Sequence, residues 1–256
     1  MAVQERSVTR ERQGRDVQCL SGKSGNEPSR NITTIIFDAG GVLIYIQEYR
    51  KSVMQRVLLS RGYDSDRVDD ALSRVALFDR DYFQQHSLVD WQDEKRWLQA
   101  RCQFVAADVA GQDSETQVMT LADQLFMLSF DSAQYQLFDD AVSSLQRLAP
   151  HFSLNVLSNA TASLDWSLDL LGIRPYFDQV VISAYERCEK PAPEIYLTTL
   201  ARIGKTPQEC VFIDDRIENV EAAEALGITG FHLDRQLGMT LTDIVDAMIE
   251  TARISG

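Results

Sequence analysis

Histidine and cysteine are scarce in this chain of 256 residues. His86, His151 and His232 show no zinc-type spacing, and Cys19, Cys102, Cys188 and Cys210 lie far apart without a C-x-x-C pair. A zinc ribbon and a thioredoxin-like redox motif are thereby excluded, and reduced, mostly buried thiols are expected. Also missing is any apolar run of the roughly 18 residues that a membrane span needs, and the amino terminus lacks the continuous apolar core of a secretory signal. The expectation is a soluble, cytoplasmic protein. A basic surplus is missing too: 25 Lys and Arg stand against 38 Asp and Glu, a net charge of -13. Such a molecule repels nucleic-acid backbones and anionic membrane surfaces as a whole, so neither is expected as a partner. An anionic small substrate would need a local cation or a metal.

What is present falls into three compositional zones. Residues 1–31 are polar, rich in Arg, Ser, Gly and Gln, and carry six basic and four acidic residues; they read as a disordered tail. Residues 46–135 read as helical without a convincing strand. Val53, Val57 and Leu58 share one face, and Val68, Leu72 and Val75 share another. Trp91, Lys95, Leu98, Cys102 and Val105 follow an Asp90 cap, and Val118, Leu121, Ala122, Leu125 and Leu128 form a last stripe. About four helices are expected there, a small bundle. From 136 to 256 helix and strand alternate, with strands expected at Ser153 to Leu157, Gln179 to Ser183, Cys210 to Ile213 and Thr229 to Leu233. Alternation of this kind predicts a parallel sheet with helices on both faces. Residues 32–45 supply its first strand, so the fold class is α/β, a doubly wound Rossmann-like core split by an inserted helical cap.

Polar groups stand at the carboxyl ends of the expected strands. The apolar run Thr33 to Phe37 stops at Asp38-Ala39-Gly40-Gly41. Later come Ser158-Asn159 after Leu154 to Leu157, Lys190-Pro191-Ala192-Pro193, and Asp214-Asp215 after Val211 to Ile213, with Asn219 beyond. In a parallel sheet these meet at one edge, where open α/β sheets bind ligands. Three converging carboxylates without histidine make a hard, oxygen-rich site suited to Mg²⁺, and a lysine and a serine beside them can hold phosphoryl oxygens. Singly, each residue reads as a cap, a turn former or a surface charge; the four-part coincidence carries the argument.

In that order and spacing the motifs resemble those of the haloacid dehalogenase-like hydrolase superfamily, subfamily I, whose α-helical cap lies between motifs I and II. The resemblance covers essentially everything after the tail and includes Lys190-Pro191-x-Pro193-x-Ile195-Tyr196. It implies Asp38 as covalent nucleophile and metal ligand, Ser158 and Asn159 as phosphate contacts, and Lys190 as a catalytic cation that also binds phosphate. Asp214, Asp215 and the Gly40 carbonyl would complete a Mg²⁺ site. Asp215 and Asn219 could instead support the start of the following helix.

The sequence departs from that pattern in three places. Gly40 stands where the family's phosphatases carry a second aspartate that protonates the leaving group and activates water, which biases the chemistry toward good leaving groups. Arg187 replaces a frequent glycine three residues before the lysine, and Ala192 replaces a frequent acid. The expected activity is hydrolysis of a small phosphorylated metabolite such as a sugar phosphate, by a monomer or homodimer. Two alternatives stay open: a metal-independent 2-haloacid dehalogenase using the same aspartate, and a non-catalytic binding protein on the same fold.

Overall fold

The structure is a computed structural model that describes residues 31–47, 49–111, 113–129 and 135–254, with side chains to residue 249. The expected tail lies outside these residues except for Asn31.

Five parallel strands form the central sheet: β1 (Thr34–Phe37), β4 (Ser153–Ser158), β5 (Gln179–Ile182), β6 (Cys210–Asp214) and β7 (Thr229–His232). Their spatial order is β5-β4-β1-β6-β7, which puts β1 in the centre. Successive side chains of a strand point to opposite faces, and the central strands are apolar on both. Ile35, Phe37, Leu154, Val156, Val211 and Ile213 pack with Leu145 and Leu148 of α6 (Ala141–Leu148), Leu164 and Leu168 of α7 (Ser163–Leu170), and Ile244 and Val245 of α11 (Leu241–Ile254). Ile36, Leu157, Cys210 and Phe212 pack on the other face. Their partners there are Ile195, Tyr196 and Leu200 of α9 (Pro193–Ile203) and Ala223 of α10 (Ile217–Ala225). The expected strands are all found, with ends shifted by no more than one residue, and helices alternate with them as expected. A one-turn helix, α8 (Ser183–Glu186), follows β5.

Among the described residues the inserted segment holds five helices where about four were expected: α1 (Arg50–Ser60), α2 (Ser65–Ser73), α3 (Val75–Gln85), α4 (Trp91–Ala110) and α5 (Glu115–Ser129). The reading that joined Val68, Leu72 and Val75 into one helix fails at Arg74, where α2 ends and α3 begins. α3 gave no clear stripe because it buries only Val75 and leaves Leu77 and Phe83 exposed. A second core of Val53, Met54, Leu58, Leu72, Leu98, Cys102, Val105 and Leu125 sits inside this bundle. Two short antiparallel strands, β2 (Ile44–Ile46) and β3 (Tyr135–Leu137), carry the chain out of the core and back. They were missed as strands because three residues are too few for an alternating pattern.

Cys102 and Cys210 are buried free thiols, and burial pushes them up to about 12 and about 11; Cys188 is half-buried. No helix among the described residues is long and apolar enough to cross a membrane.

α4 begins as the sequence suggested. The Asp90 carboxylate accepts from Asp93 N at 2.9 Å, and Asp93 Oδ2 accepts from Asp90 N at 3.4 Å, a reciprocal capping box. Asp90→Ala should therefore lower stability by about 0.5–2 kcal/mol, seen as a lower urea midpoint. An unchanged midpoint contradicts the capping account.

Candidate active site

Strand register brings the acidic residues level. Phe37 pairs with Val156 and with Ile213, so the next residues, Asp38, Leu157 and Asp214, stand side by side at the carboxyl edge. Asp38 N donates to Ile213 O at 2.8 Å, and its own Oδ1 accepts from Ala39 N at 2.7 Å, which fixes the carboxylate against the turn. Gly41, at φ 76°, continues that turn in the left-handed region.

Lys190 closes the edge from above. It reaches in from the segment after α8, is 3% exposed, and places its ammonium against three acceptors. These are Asp214 Oδ2 at 2.6 Å, Asp38 Oδ1 at 3.0 Å and Leu157 O at 3.0 Å. One ammonium thus meets three acceptors, two of them carboxylates. Asn159 holds the lysine's backbone: its Nδ2 donates to Lys190 O and its Oδ1 accepts from Lys190 N, both at 2.8 Å. Both ends of the Asn159 carboxamide thus brace Lys190.

Asp214 is fully buried and richly satisfied. Besides the lysine, it accepts from Arg216 N at 2.8 Å and from Asn219 Nδ2 at 3.1 and 3.0 Å. Asn219, on the first turn of α10, is held in turn by Tyr196, whose hydroxyl donates to Asn219 O at 2.8 Å. Asn219 therefore orients Asp214, and Tyr196 of the Pro193-x-Ile195-Tyr196 run supports Asn219. Asp215 packs over the Asp38–Gly41 turn so closely that a Cβ on Gly41 would lie 2.1 Å from its Oδ2. A side chain at position 41 would have to displace that carboxylate, and the left-handed φ disfavours one besides.

Three carboxylates facing one ammonium leave two uncompensated negative charges. Burial pushes the Asp38 carboxyl up from its ordinary value, with Asp214 adding to the shift, while Lys190 and a hydrogen bond from Ser158 oppose it. Partial burial and the charges of Asp38 and Asp214 push Asp215 up to about 6. One carboxylate oxygen from each of the three acids lies within 4.8 Å of the others. Donor set, spacing and charge deficit fit a divalent, oxygen-preferring cation such as Mg²⁺. Ser158 is buried at the end of β4, one strand from Asp38.

Gly40 is exposed, and a Cβ built on it meets nothing within 4 Å, so the turn does not itself require glycine there. Arg187 is exposed at φ 56°, the one non-glycine residue with positive φ among the described residues. A left-handed helix cap is where glycine is favoured, which accounts for the glycine frequent at that position. The aromatic residues of the cap divide: Trp97 is buried, whereas Tyr45 and Trp91 are exposed.

One residue beside the site gave no sequence signal. Arg235, after β7, donates to Gly41 O at 3.0 Å and Val42 O at 2.5 Å, pairs with Asp140 at 3.0 Å, and lies 3.7 Å from the Phe138 ring centroid. It ties the Asp38–Gly41 turn to the point where the chain re-enters the core. A lone arginine in a polar loop looks like surface charge, so only the contact reveals it.

Residues 32–227 match the haloacid dehalogenase-like hydrolase family, and the chain belongs to it. Similar curated proteins include a sesquiterpene phosphatase of Aspergillus oryzae, 43% identical over 61 residues that cover 24% of this chain and 31% of the relative. A glyceraldehyde 3-phosphate phosphatase of Methanopyrus kandleri is 31% identical over 101 residues, 38% of this chain and 43% of the relative. A fructose-1-phosphate phosphatase of Escherichia coli is 40% identical over 58 residues, 23% of this chain and 31% of the relative. The chain thus spans less than half the length of these relatives. Among solved structures, a phosphatase of the same superfamily from Thermococcus onnurineus superposes with a TM-score of 0.56 at 19% identity, covering 85% of this chain and 98% of that one. A 2-haloacid dehalogenase from Pseudomonas syringae also scores 0.56 at 19% identity, over 80% of this chain and 87% of that one. At such identity both speak for the fold alone.

The charge deficit predicts how the protein responds to metal and pH. Mg²⁺ at about 100 times its Kd should stabilise the fold by about 2.7 kcal/mol, and Asp215→Asn should reduce that gain; an equal gain in the variant removes Asp215 from the metal set. Asp38 and Asp215 are both raised when folded, so in the metal-free protein their contribution is full below the unfolded value of about 4 and is lost as pH rises. For Asp215 the loss runs through about 6. Metal-free Asp215→Asn should lose less stability than wild type between pH 5 and pH 7 in thermal melts; parallel profiles contradict the assignment.

Proposed function

We propose that the chain is a Mg²⁺-dependent phosphatase of a small phosphorylated metabolite, a sugar phosphate among the candidates, working through an aspartyl phosphate on Asp38. The observation that carries this reading is the bridge of Lys190 between Asp38 and Asp214, with Asp215 completing a three-carboxylate cluster. The named activities of the similar phosphatases agree with the substrate class.

Asp38, held by Ala39 N and Lys190, would attack phosphorus; a new P–O bond forms as the bond to the leaving oxygen breaks with its electron pair. Ser158 and Lys190 would hold the phosphoryl oxygens, with Asn159 keeping Lys190 in place. Water then attacks phosphorus of the acyl phosphate, releasing inorganic phosphate and regenerating the Asp38 carboxylate. Asp38, Asp214, Asp215 and the Gly40 carbonyl would hold Mg²⁺, which supplies charge neutralisation for the carboxylates and the phosphoryl group. Lacking a carboxylate at position 40, the site gives a departing oxygen no proton from that position, so aryl, acyl and anomeric sugar phosphates suit it best.

The alternative of a 2-haloacid dehalogenase agrees with Gly40 but leaves the third carboxylate unexplained. Asp215 beside Asp38 and Asp214 only adds repulsion unless a cation is present.

The test is Mg²⁺-dependent phosphate release from an aryl phosphate or a sugar 1-phosphate, with Asp38→Asn abolishing it. Undiminished turnover in that variant, or halide release from a 2-chloro acid in the presence of chelator, overturns the reading. Gly40→Asp enters open space and should raise kcat/KM for alkyl phosphates, by up to about 10²–10⁴-fold, more than for aryl phosphates; the reverse order contradicts the account of position 40.

A further inference from the structure

The cap is fastened to the core by one buried carboxylate that belongs to neither the metal cluster nor the motifs. Glu94, in the first turn of α4, is 0% exposed. Its Oε2 accepts from Ser163 N at 2.8 Å, and its Oε1 accepts from Ser163 Oγ at 2.9 Å and Thr161 Oγ1 at 2.8 Å. All three donors are in the core. Ser163 opens α7, and the residue before it, Ala162, provides no side-chain cap. A helix start leaves backbone N–H groups unsatisfied and favours negative charge, and here the cap domain supplies the acceptor from across the seam.

Within the cap the same carboxylate is anchored. Arg50 Nη2 pairs with Glu94 Oε1 at 3.1 Å, and Arg50 Nε donates to Ser129 O at 3.3 Å. Arg50 opens α1 and Ser129 ends α5, so both ends of the helical insert meet at Glu94. On the core side, Thr161 and Ser163 continue the strand end that carries Ser158 and Asn159, and Asn159 grips both backbone polar groups of Lys190. An unbroken series of contacts therefore runs from the cap helices through Glu94 to the lysine on Asp38.

We propose that Glu94 is a positioning residue: it latches the cap onto the 159–163 loop and couples cap docking to the geometry of Ser158 and Lys190. The proposal rests on the phosphatase reading insofar as it treats those two residues as the phosphate-binding groups. With the cap docked, the start of α7 is pinned and the loop has one arrangement. With the cap lifted, Glu94 leaves three core donors and α7 loses its acceptor, so substrate affinity falls with the docked fraction. Glu94→Gln keeps the shape but turns one acceptor oxygen into a donor. Either Ser163 N–H then faces an N–H group, or Arg50 does while the Thr161 and Ser163 hydroxyls must turn from donating to accepting.

The experiment compares wild type, Glu94→Gln, the core-side pair Thr161→Val/Ser163→Ala, and the combination of all three. Hydrogen exchange of residues 159–167 is followed with Mg²⁺ and inorganic phosphate as probe, alongside steady-state kinetics on an aryl phosphate. Glu94→Gln should speed exchange at 159–167 by about tenfold or more, the loss of about one charge-assisted hydrogen bond. KM should rise by a similar factor with kcat nearly unchanged, since saturating substrate restores docking. The core-side pair should reproduce both effects, and the combination should be no worse than either alone. Unchanged exchange in either variant, a fall in kcat at constant KM, or additive effects in the combination overturns the latch. Should Glu94→Gln not fold, the core-side pair carries the test alone. The exchange readout needs no turnover, so a chain that hydrolyses no phosphate refutes the phosphatase reading while the latch is still decided.

Discussion

Three carboxylates crowded at one sheet edge would drive each other apart or neutralise; a single ammonium keeps them together. Lys190 touches Asp38 and Asp214 at once and also donates to Leu157 O, so the ends of β1, β4 and β6 are joined through one nitrogen. In a buried setting that pairing is strong only when each member is further hydrogen-bonded, and here each is. Asp214 has Asn219 and Arg216 N, Asp38 has Ala39 N, and Lys190 is braced by Asn159. The remaining charge deficit is what a divalent cation would offset.

The scaffold supplies these contacts by simple means. Parallel pairing with equal register brings residues far apart in sequence to one level, and the apolar faces of the sheet commit the strands to that register. Small residues let the pieces approach: Gly41 admits Asp215, and the left-handed φ it adopts turns the chain toward β2. Arg235 and Glu94 then tie the pieces together. The first fixes the Asp38–Gly41 turn to the re-entry point of the chain, and the second joins the cap to the loop behind Ser158.

Much of this was legible in the sequence because it is local. Asp38, Ser158 and Asp214 each end an apolar run, and a parallel sheet delivers such ends to one edge whatever the rest of the chain does. Lys190 was legible through the Pro-rich helix start that follows it. The less legible parts are long-range. Glu94 sits among Asp93, Lys95 and Arg96 and reads as a solvated helix face; only the packing of cap on core buries it. α3 was hidden because its apolar residues are largely exposed, and β2 and β3 because they are too short to show a period. Asn159 was identified as important, but its partner is the backbone of a residue 31 positions away, which no pattern announces.

The central claim is that Asp38, poised by Lys190, carries the phosphoryl group, and that Gly40 leaves the resulting acyl phosphate without a carboxylate to speed its hydrolysis. The most direct measurement is rapid acid quench of the enzyme turning over an aryl phosphate with Mg²⁺, followed by mass analysis of the peptide spanning the nucleophile turn. The account predicts one phosphoryl group on Asp38, accumulating toward one per chain and absent in Asp38→Asn. A peptide that stays unmodified during turnover, or a phosphoryl group on any other residue, would contradict it.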